Sequence, residues 1–180
     1  MGLDITAYSN LKHVGKHEKD PARNEGEPGG LNDWCYYDEH VQAFAYDSFP
    51  QSFRGIPILG AKTSGGARFI EGGCYEITAE TERHGFRAGS YGGYNQWRAD
   101  LQEQFNPERH PDGPFYELIW FADNEGSIGP DAARDLLADF EQHAAAYRSP
   151  ESWGQYGHEK YADWTRAFRL AANSGLVRFH

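Results

Sequence analysis

The apolar side chains of this 180-residue chain are mostly aromatic, and this limits what the chain can fold into. Eleven Phe, eleven Tyr and five Trp residues stand against 20 Leu, Ile and Val residues. Each aromatic side chain buries on the order of 150–250 Å². A chain of this length fits one domain and needs no disulfide or metal to support its core. We therefore predict a single globular domain over residues 1–180 with an aromatic core.

Acidic residues outnumber basic ones, 27 to 17, which gives a net charge of −10. Duplex nucleic acid is not an expected partner, because such binding depends on a basic surface. No membrane partner is expected either, since no apolar run approaches the roughly 20 residues that span a bilayer. The N-terminus carries no signal peptide pattern, so we expect a cytoplasmic protein. Cys35 and Cys74 are expected to be free thiols, although their pairing stays open.

Alternating and apolar patterns predict the strands. The run at 115–121 is nearly continuous in apolar character, and such a run indicates a central strand covered on both faces. The segment 16–33 is polar and is predicted to be an exposed, flexible loop. The predicted strands are 3–8, 40–46, 67–71, 74–80, 115–121 and 176–179.

Apolar residues at helical spacing predict three helices. Ser90 caps a helix that buries Tyr94, Trp97, Leu101 and Phe105. A second helix covers 130–147 and a third covers 158–173. Strands followed by helices in this order predict an α+β fold, with a mostly antiparallel sheet and about three helices packed on it.

Residues 83–94 hold the densest group of cationic side chains beside a glycine-rich segment. Helix N-termini favour anions because their N–H groups are unpaired. An acidic protein must concentrate its few cations to hold an anion. Either Tyr91 or Tyr94 is expected to stack on a base. The candidate ligand-binding residues are Arg83, His84, Arg87, Gly89, Ser90, Tyr91, Gly92, Gly93 and Tyr94.

The alternative interpretation of this segment is an exposed loop before a flexible helix start. It contains no Gly-Lys-Ser/Thr phosphate loop, and no strand is predicted ahead of its glycines, so the dinucleotide fingerprint is not met. Ala88 to Gly92 also has the shape of a nucleophile elbow around Ser90. Asp123 or Asp131 and then His143 or His158 follow, which is the Ser, Asp, His order of the hydrolases that use such an elbow. The elbow, however, needs an apolar strand directly before the serine.

Two groups of acidic residues are further candidates. Asp123 and Glu125 follow the 115–121 run, where two neighbouring carboxylates would hold a cation or a ribose, with Asp123 or Glu125 binding the ribose hydroxyls. The alternative is a polar turn beside a helix N-terminus. An EF-hand is excluded, because Phe121 would stand where Asp is required. An acidic stripe on the second helix is expected to be a solvated face or to dock a basic partner; it comprises Asp131, Asp135 and Asp139. No metal signature occurs among the histidines.

Two segments resemble small bacteriophage- and prophage-encoded proteins: MGLDITAY at residues 1–8 and FYELIWFADNEGSIGP at residues 115–130. The resemblance brings no catalytic motif. It implies a viral accessory protein that acts in the host cytoplasm against host defence. Such proteins often sequester a nucleotide signal or block a host protein.

Together these features predict a non-catalytic protein that binds a small anionic ligand, a nucleotide, through Arg83, Arg87 and the glycine-rich turn. Asp123 and Glu125 complete the predicted site, and no cofactor or metal is expected. Two alternatives stay open: an inhibitor that docks a host protein through the acidic stripe, and a small serine hydrolase. A homo-oligomer also stays open.

Overall fold

The structure is a computed structural model that describes residues 2–16, 40–43, 45–46, 52–53, 56–57, 73–121, 127–147 and 150–180. Its strands are β1 (Gly2–Tyr8), β2 (Lys12–Lys16), β3 (His40–Ala43), β4 (Ala45–Tyr46), β5 (Ser52–Phe53), β6 (Ile56–Pro57), β7 (Gly73–Glu76), β8 (Arg83–Ser90), β9 (Ser127–Ile128) and β10 (Leu176–Phe179). Its helices are α1 (Tyr91–Phe105), α2 (Tyr116–Trp120), α3 (Pro130–Gln142), α4 (Ala144–Tyr147) and α5 (Pro150–Ala171). The predicted strand at 67–71 lies outside the described residues, as do Cys35, Asp123 and Glu125. The predicted loop at 16–33 also lies outside them, except for Lys16, which is the last residue of β2.

The main sheet is organised around β1, which pairs antiparallel with β10 on one side and with β8 on the other. The strand order is β4-β9-β10-β1-β8, and only the β4–β9 pair within it is parallel. β2, β7 and β3 form a second, antiparallel sheet. This architecture confirms the predicted α+β class with mostly antiparallel strands.

One face of the main sheet is covered by helices. Leu3, Ile5 and Ala7 alternate along β1, and none of them is more than 1% exposed. Register places Phe86 of β8 and Phe179 of β10 beside Ile5 on the same face. α1 and α5 pack on β1, and α3 packs on β10. We call this side, which carries Leu3, Ile5 and Ala7, the helix-covered face.

The core under the helices is aromatic, as predicted. Trp164 of α5 is fully buried at its centre. Its ring stacks on Trp97 at 5.0 Å between centroids and on Phe168 at 5.8 Å, while Phe86 meets it edge-on at 5.0 Å. Such pairs contribute about 0.5–1.5 kcal/mol each beyond the area they bury. Few aliphatic residues therefore suffice to build this core.

The predicted helix after Ser90 is confirmed as α1. The Ser90 hydroxyl accepts a hydrogen bond from the Gly93 N–H at 3.0 Å, which satisfies one of the free N–H groups of the first turn. Tyr94, Trp97 and Leu101 are buried at the predicted spacing, and α1 ends before Asn106. The sequence pattern and the local structure agree at every turn of this helix.

The predicted central strand at 115–121 is wrong, because this segment forms the short helix α2. Residues 116–119 are all buried, so the apolar run covers every side of the helix. A continuous apolar run does not distinguish a buried strand from a buried helix, because it lacks the period of either. Side chains from other helices hold α2 in place by hydrogen bonds. Asp139 accepts the Phe115 N–H at 2.7 Å, and Arg98 donates to the carbonyls of Leu118 and Ile119 at 3.1 and 2.6 Å.

The two C-terminal helices are confirmed with changed bounds. The predicted helix at 130–147 is divided into α3 and α4 at His143. The last helix starts at Pro150, eight residues before the predicted start at 158. Proline fits the first position of a helix, where its missing N–H costs nothing, so Pro150 opens α5 instead of only closing the helix before it. In the described ranges, no helix combines the length and the apolar character needed to cross a bilayer.

The segment 83–90, which was predicted to be a loop, is strand β8. It pairs with β1 along its length and forms one end of the five-stranded sheet. Its glycines and arginines do not form the alternating apolar pattern that predicts a strand, yet such residues are tolerated on edge strands. Near its end Ala88 bulges out of register between the Leu3–Gly89 and Asp4–Arg87 pairs. Gly89 has a φ of 103°, which favours glycine, and the bulge redirects the chain into α1.

Candidate anion-binding site

Strand β8 separates the cationic side chains that the sequence placed in one group. Arg83 and Arg87 lie on the side of the sheet opposite the helices, because side chains alternate along a strand. His84 lies on the helix-covered face, where its Nε2 is 3.2 Å from a carboxylate oxygen of Asp163. The prediction that His84 joins the two arginines at one site is therefore wrong.

The side opposite the helices gathers arginines from two strands. Directly opposed residues of antiparallel strands share a face, so register brings β10 residues to the same side as Arg83 and Arg87. Arg178 is opposite Thr6, and the backbone of His180 pairs with that of Asp4. We call this surface the arginine face. Its buried members are Thr6, Tyr8, Ser127 and Leu176, and its more exposed members are Asp4, Arg83, Gly85, Arg87, Arg178 and His180.

Gly85 leaves an opening at the β8 edge of the arginine face. It lies between Arg83 and Arg87 along β8 and opposite Thr6 across the sheet. The residue is exposed, and a Cβ built on it would meet only the Ile5 carbonyl oxygen, at 3.8 Å. Gly85 therefore forms an open floor between the two arginine positions of β8.

Arg87 is held by Asp4 at one end of this floor. Its Nη1 donates to both carboxylate oxygens of Asp4, at 2.9 and 3.2 Å. The side chains are 59% and 46% exposed, so water screens the pair strongly. The guanidinium also lies over Gly2, where a Cβ would overlap it. Asp4 thus orients Arg87 while it leaves part of the guanidinium accessible.

Arg83 and His180 border the other sides of the floor. The Arg83 guanidinium carbon lies over the Tyr8 ring, 5.9 Å from its centroid. Nε2 of His180 is hydrogen-bonded to the Thr6 hydroxyl at 3.0 Å. Burial lowers the pKa of His180; the charge of Arg178 and, less strongly, that of Arg83 lower it further, while the Asp4 carboxylate opposes them. His180 is therefore mostly neutral at pH 7.

The glycine-rich turn has a structural role that the sequence did not separate from ligand binding. The Ser90 hydroxyl caps α1 by accepting the Gly93 N–H. Tyr94 is fully buried, and its hydroxyl donates to the Phe121 carbonyl at 2.8 Å, so it offers no ring to a ligand. Tyr91 is half-buried against the core, while Gly92 and Gly93 are exposed. Of the two predicted stacking residues, only Tyr91 is accessible.

The three aspartates of α3 do not form one exposed acidic stripe. Asp131 is only 4% exposed and forms an ion pair with Arg134. Asp139 accepts the Phe115 N–H and so anchors α2. Asp135 is half-buried. Asp131 and Asp139 thus support the fold, and the three side chains do not form one exposed acidic surface.

Among the described candidates, His143 and Asp131 do not lie beside Ser90. A strand, β8, does lead into Ser90, but it is a largely exposed strand and not the apolar one that the elbow needs. His143, however, packs against Phe105 at the far end of α1, with ring centroids 4.7 Å apart. α1 has 15 residues, which corresponds to roughly 22 Å. Asp131 is buried in α3, and the side chain of His158 lies outside the described residues.

Thr6, Arg178 and His180 were not among the predicted site residues. The first and last strands, which contain or adjoin these residues, were both predicted from the alternation of their residues. What was missing was the pairing of β1 with β8 and β10, over 80 residues away in one case and over 170 in the other. Thr6 and His180 form a hydroxyl–imidazole pair, but Thr6 is only 4% exposed, so its hydroxyl is not accessible to a substrate.

Comparisons with known proteins add no relative: no protein-family model, curated protein or solved structure matches the chain. Within the described part of the chain, no group of three or more His, Cys, Asp and Glu side chains could hold a metal ion. The case for this site therefore comes from its own geometry, in which three arginines and one histidine share a sheet face with a single described acid.

Proposed function

We propose that the protein binds a small anionic ligand on the arginine face without transforming it. The observation that carries the proposal is the open floor at Gly85, flanked along β8 by Arg83 and Arg87 and faced across the sheet by Arg178. Guanidinium groups bind phosphate and carboxylate with paired N–H donors. Asp4 is the one described acid on this face, and it is already bound to Arg87.

The placement of two hydroxyl groups supports binding rather than covalent catalysis. The Thr6 hydroxyl is buried and the Ser90 hydroxyl caps α1. The arginine face thus offers donors that hold an anion, and neither of these hydroxyls is placed to attack one.

The sequence resemblance to small phage proteins supports a sequestering role. A sequestering protein must bind its ligand tightly and need not convert it. A cluster of cationic side chains on an acidic protein attracts an anion to one place on the surface. Under this proposal a bound nucleotide signal is recovered chemically unchanged. Chromatography of a nucleotide mixture after incubation with the protein tests this, and the appearance of cleavage products would contradict it.

The main test is calorimetric titration with inorganic pyrophosphate at low ionic strength. Arg178→Ala and Arg83→Ala should each weaken binding by roughly tenfold, because a hydrogen bond to a charged group contributes about 1.5–3 kcal/mol. Arg169→Ala is the matched control for an exposed arginine in an ion pair, since Arg169 pairs with Glu141 at 3.1 Å on the other side of the molecule. It should leave the affinity unchanged.

A second variant is expected to bind pyrophosphate more tightly, and misfolding cannot cause such an increase in affinity. Asp4→Asn removes the one described acid of the face and releases the Arg87 guanidinium from its ion pair. Pyrophosphate should then bind about threefold or more tightly, since exposed ion pairs contribute up to about 1 kcal/mol. Loss of binding in Asp4→Asn, or an equal loss in Arg169→Ala, would contradict the proposed site.

A further inference from the structure

Arg83 differs from the other arginines of the face because an aromatic ring supports its guanidinium. Tyr8 lies beneath it and is 7% exposed, whereas Arg83 itself is exposed. The Tyr8 ring lies within the distance at which an aromatic ring attracts a cation, 5.9 Å from the guanidinium carbon. Solvent reaches Arg83, so its guanidinium offers a small platform supported by this ring.

Such a platform suits the base of a nucleotide. Nucleobases stack on the planes of arginine guanidinium groups as they do on aromatic side chains. Stacking of this kind tolerates any base, because every base has a π-face. A lysine at the same position would keep the charge and lose the plane.

The floor at Gly85 lies at a suitable distance from the platform. Two residues of strand separate Arg83 from Gly85, or about 7 Å. One ribose separates a base from its 5′-phosphate by a similar length. A phosphate above Gly85 would then lie between the backbone positions of Arg83 and Arg87 on β8, with Arg178 on the strand beyond Thr6.

We propose that the ligand of the arginine face is a nucleotide whose base stacks on Arg83 and whose phosphate lies above Gly85. The inference rests on the proposed anion-binding function. It reassigns the base-stacking role from Tyr91 and Tyr94, which pack toward the core, to Arg83.

The test compares adenosine 5′-monophosphate with ribose 5-phosphate, which carries the same phosphate and no base. Calorimetric titration of the full chain should show that the nucleotide binds about fivefold or more tightly, because base stacking is favourable. Arg83→Lys should remove this difference while ribose 5-phosphate binding stays within about twofold, since the charge is kept. Thermal melting of the variant checks that the fold is intact.

Arg109→Lys is the matched control. Arg109 is also exposed and also lies over an aromatic ring, that of Trp120, at 4.9 Å, but away from the arginine face. It should change neither affinity. Equal affinities of the wild-type protein for the two ligands, or a difference that survives Arg83→Lys, would overturn the inference. Equal weakening of both ligands by Arg83→Lys would make Arg83 a phosphate ligand and overturn the stacking, yet leave anion binding intact. If neither ligand binds, the proposed function itself fails.

Discussion

The two faces of the main sheet use alternate residues of the same strands for opposite purposes. On the helix-covered face, Leu3, Ile5 and Ala7 are buried under aromatic side chains from the helices. On the arginine face, Asp4 pairs with Arg87 in partly exposed positions. Period-two alternation therefore lets one short strand serve both the core and the ligand surface. Substitutions on one face should change stability, and those on the other should change affinity.

The largest expected effect is on the helix-covered face. Trp164→Ala should lower the free energy of unfolding by about 3–5 kcal/mol, because it removes the ring at the centre of the aromatic core. Urea denaturation followed by circular dichroism measures this. The matched control is Trp120→Ala, a half-buried tryptophan whose ring meets Arg109 and Tyr116. Equal losses in the two variants would show that the core is not centred on Trp164.

A smaller effect is expected where β8 passes into α1. Ser90→Ala removes the hydroxyl that accepts the Gly93 N–H, and the free energy of unfolding should fall by about 1 kcal/mol. Pyrophosphate affinity should stay within about twofold, because the hydroxyl serves the helix and not the ligand. Ser90→Asp retains a capping acceptor and should restore most of the stability. A tenfold loss of affinity in Ser90→Ala with unchanged stability would instead place the anion at the N-terminus of α1.

Anion binding on the arginine face should depend on pH through the protonation of His180. Its neutral form is favoured by burial and by two arginines, so its pKa is lowered below the usual value of 6.5. Acidification below this lowered pKa adds a positive charge beside Arg178, and sulfate, whose own charge stays constant in mildly acidic solution, should then bind roughly threefold more tightly.

The same group has the opposite effect on stability. Since the unfolded chain takes up the proton more readily than the folded one, the free energy of unfolding falls through this group as the pH drops below 6.5. His180→Gln keeps a hydrogen-bond partner for Thr6 and should abolish the rise in sulfate affinity. A rise of the same size in the variant would show that other groups, among them Asp4, cause it.

The smallest expected effect on stability is at the floor of the site. Gly85→Val should change the free energy of unfolding by no more than about 0.5 kcal/mol, because Gly85 is exposed on an edge strand and its Cβ position is open. The same side chain would occupy the space above the floor and weaken pyrophosphate binding. A variant that loses stability but keeps its affinity would contradict this division between the two faces.

The helices and the first and last strands could be predicted from the chain, because their signals are local. The alternation of residues 3–8, the spacing of Tyr94, Trp97 and Leu101, and Pro130 at a helix start each depend on neighbours within a few residues. Segment 115–121 could not be assigned, because an apolar run carries no period. What makes it helical is the anchoring of Phe115 by Asp139 and of its last carbonyls by Arg98, from other parts of the chain.

The candidate site was only half predictable for a similar reason. Arg83 and Arg87 were recognisable as cations beside glycines, but the local sequence did not show that they lie on a strand. Arg178 and His180 join them only because β1 pairs with both β8 and β10. Strand pairing over such separations depends on the whole topology, and no local pattern encodes it.

The central claim is that anions bind on the arginine face and leave the helix-covered face undisturbed. Amide chemical shifts recorded during a pyrophosphate titration test it most directly. The account predicts that shifts concentrate in residues 4–6, 83–87 and 178–180, and that the amides of α3 and α5 stay nearly unchanged. Shifts centred instead on the first turn of α1, or on the cleft of about 390 Å³ between Glu141 and Arg169, would contradict it.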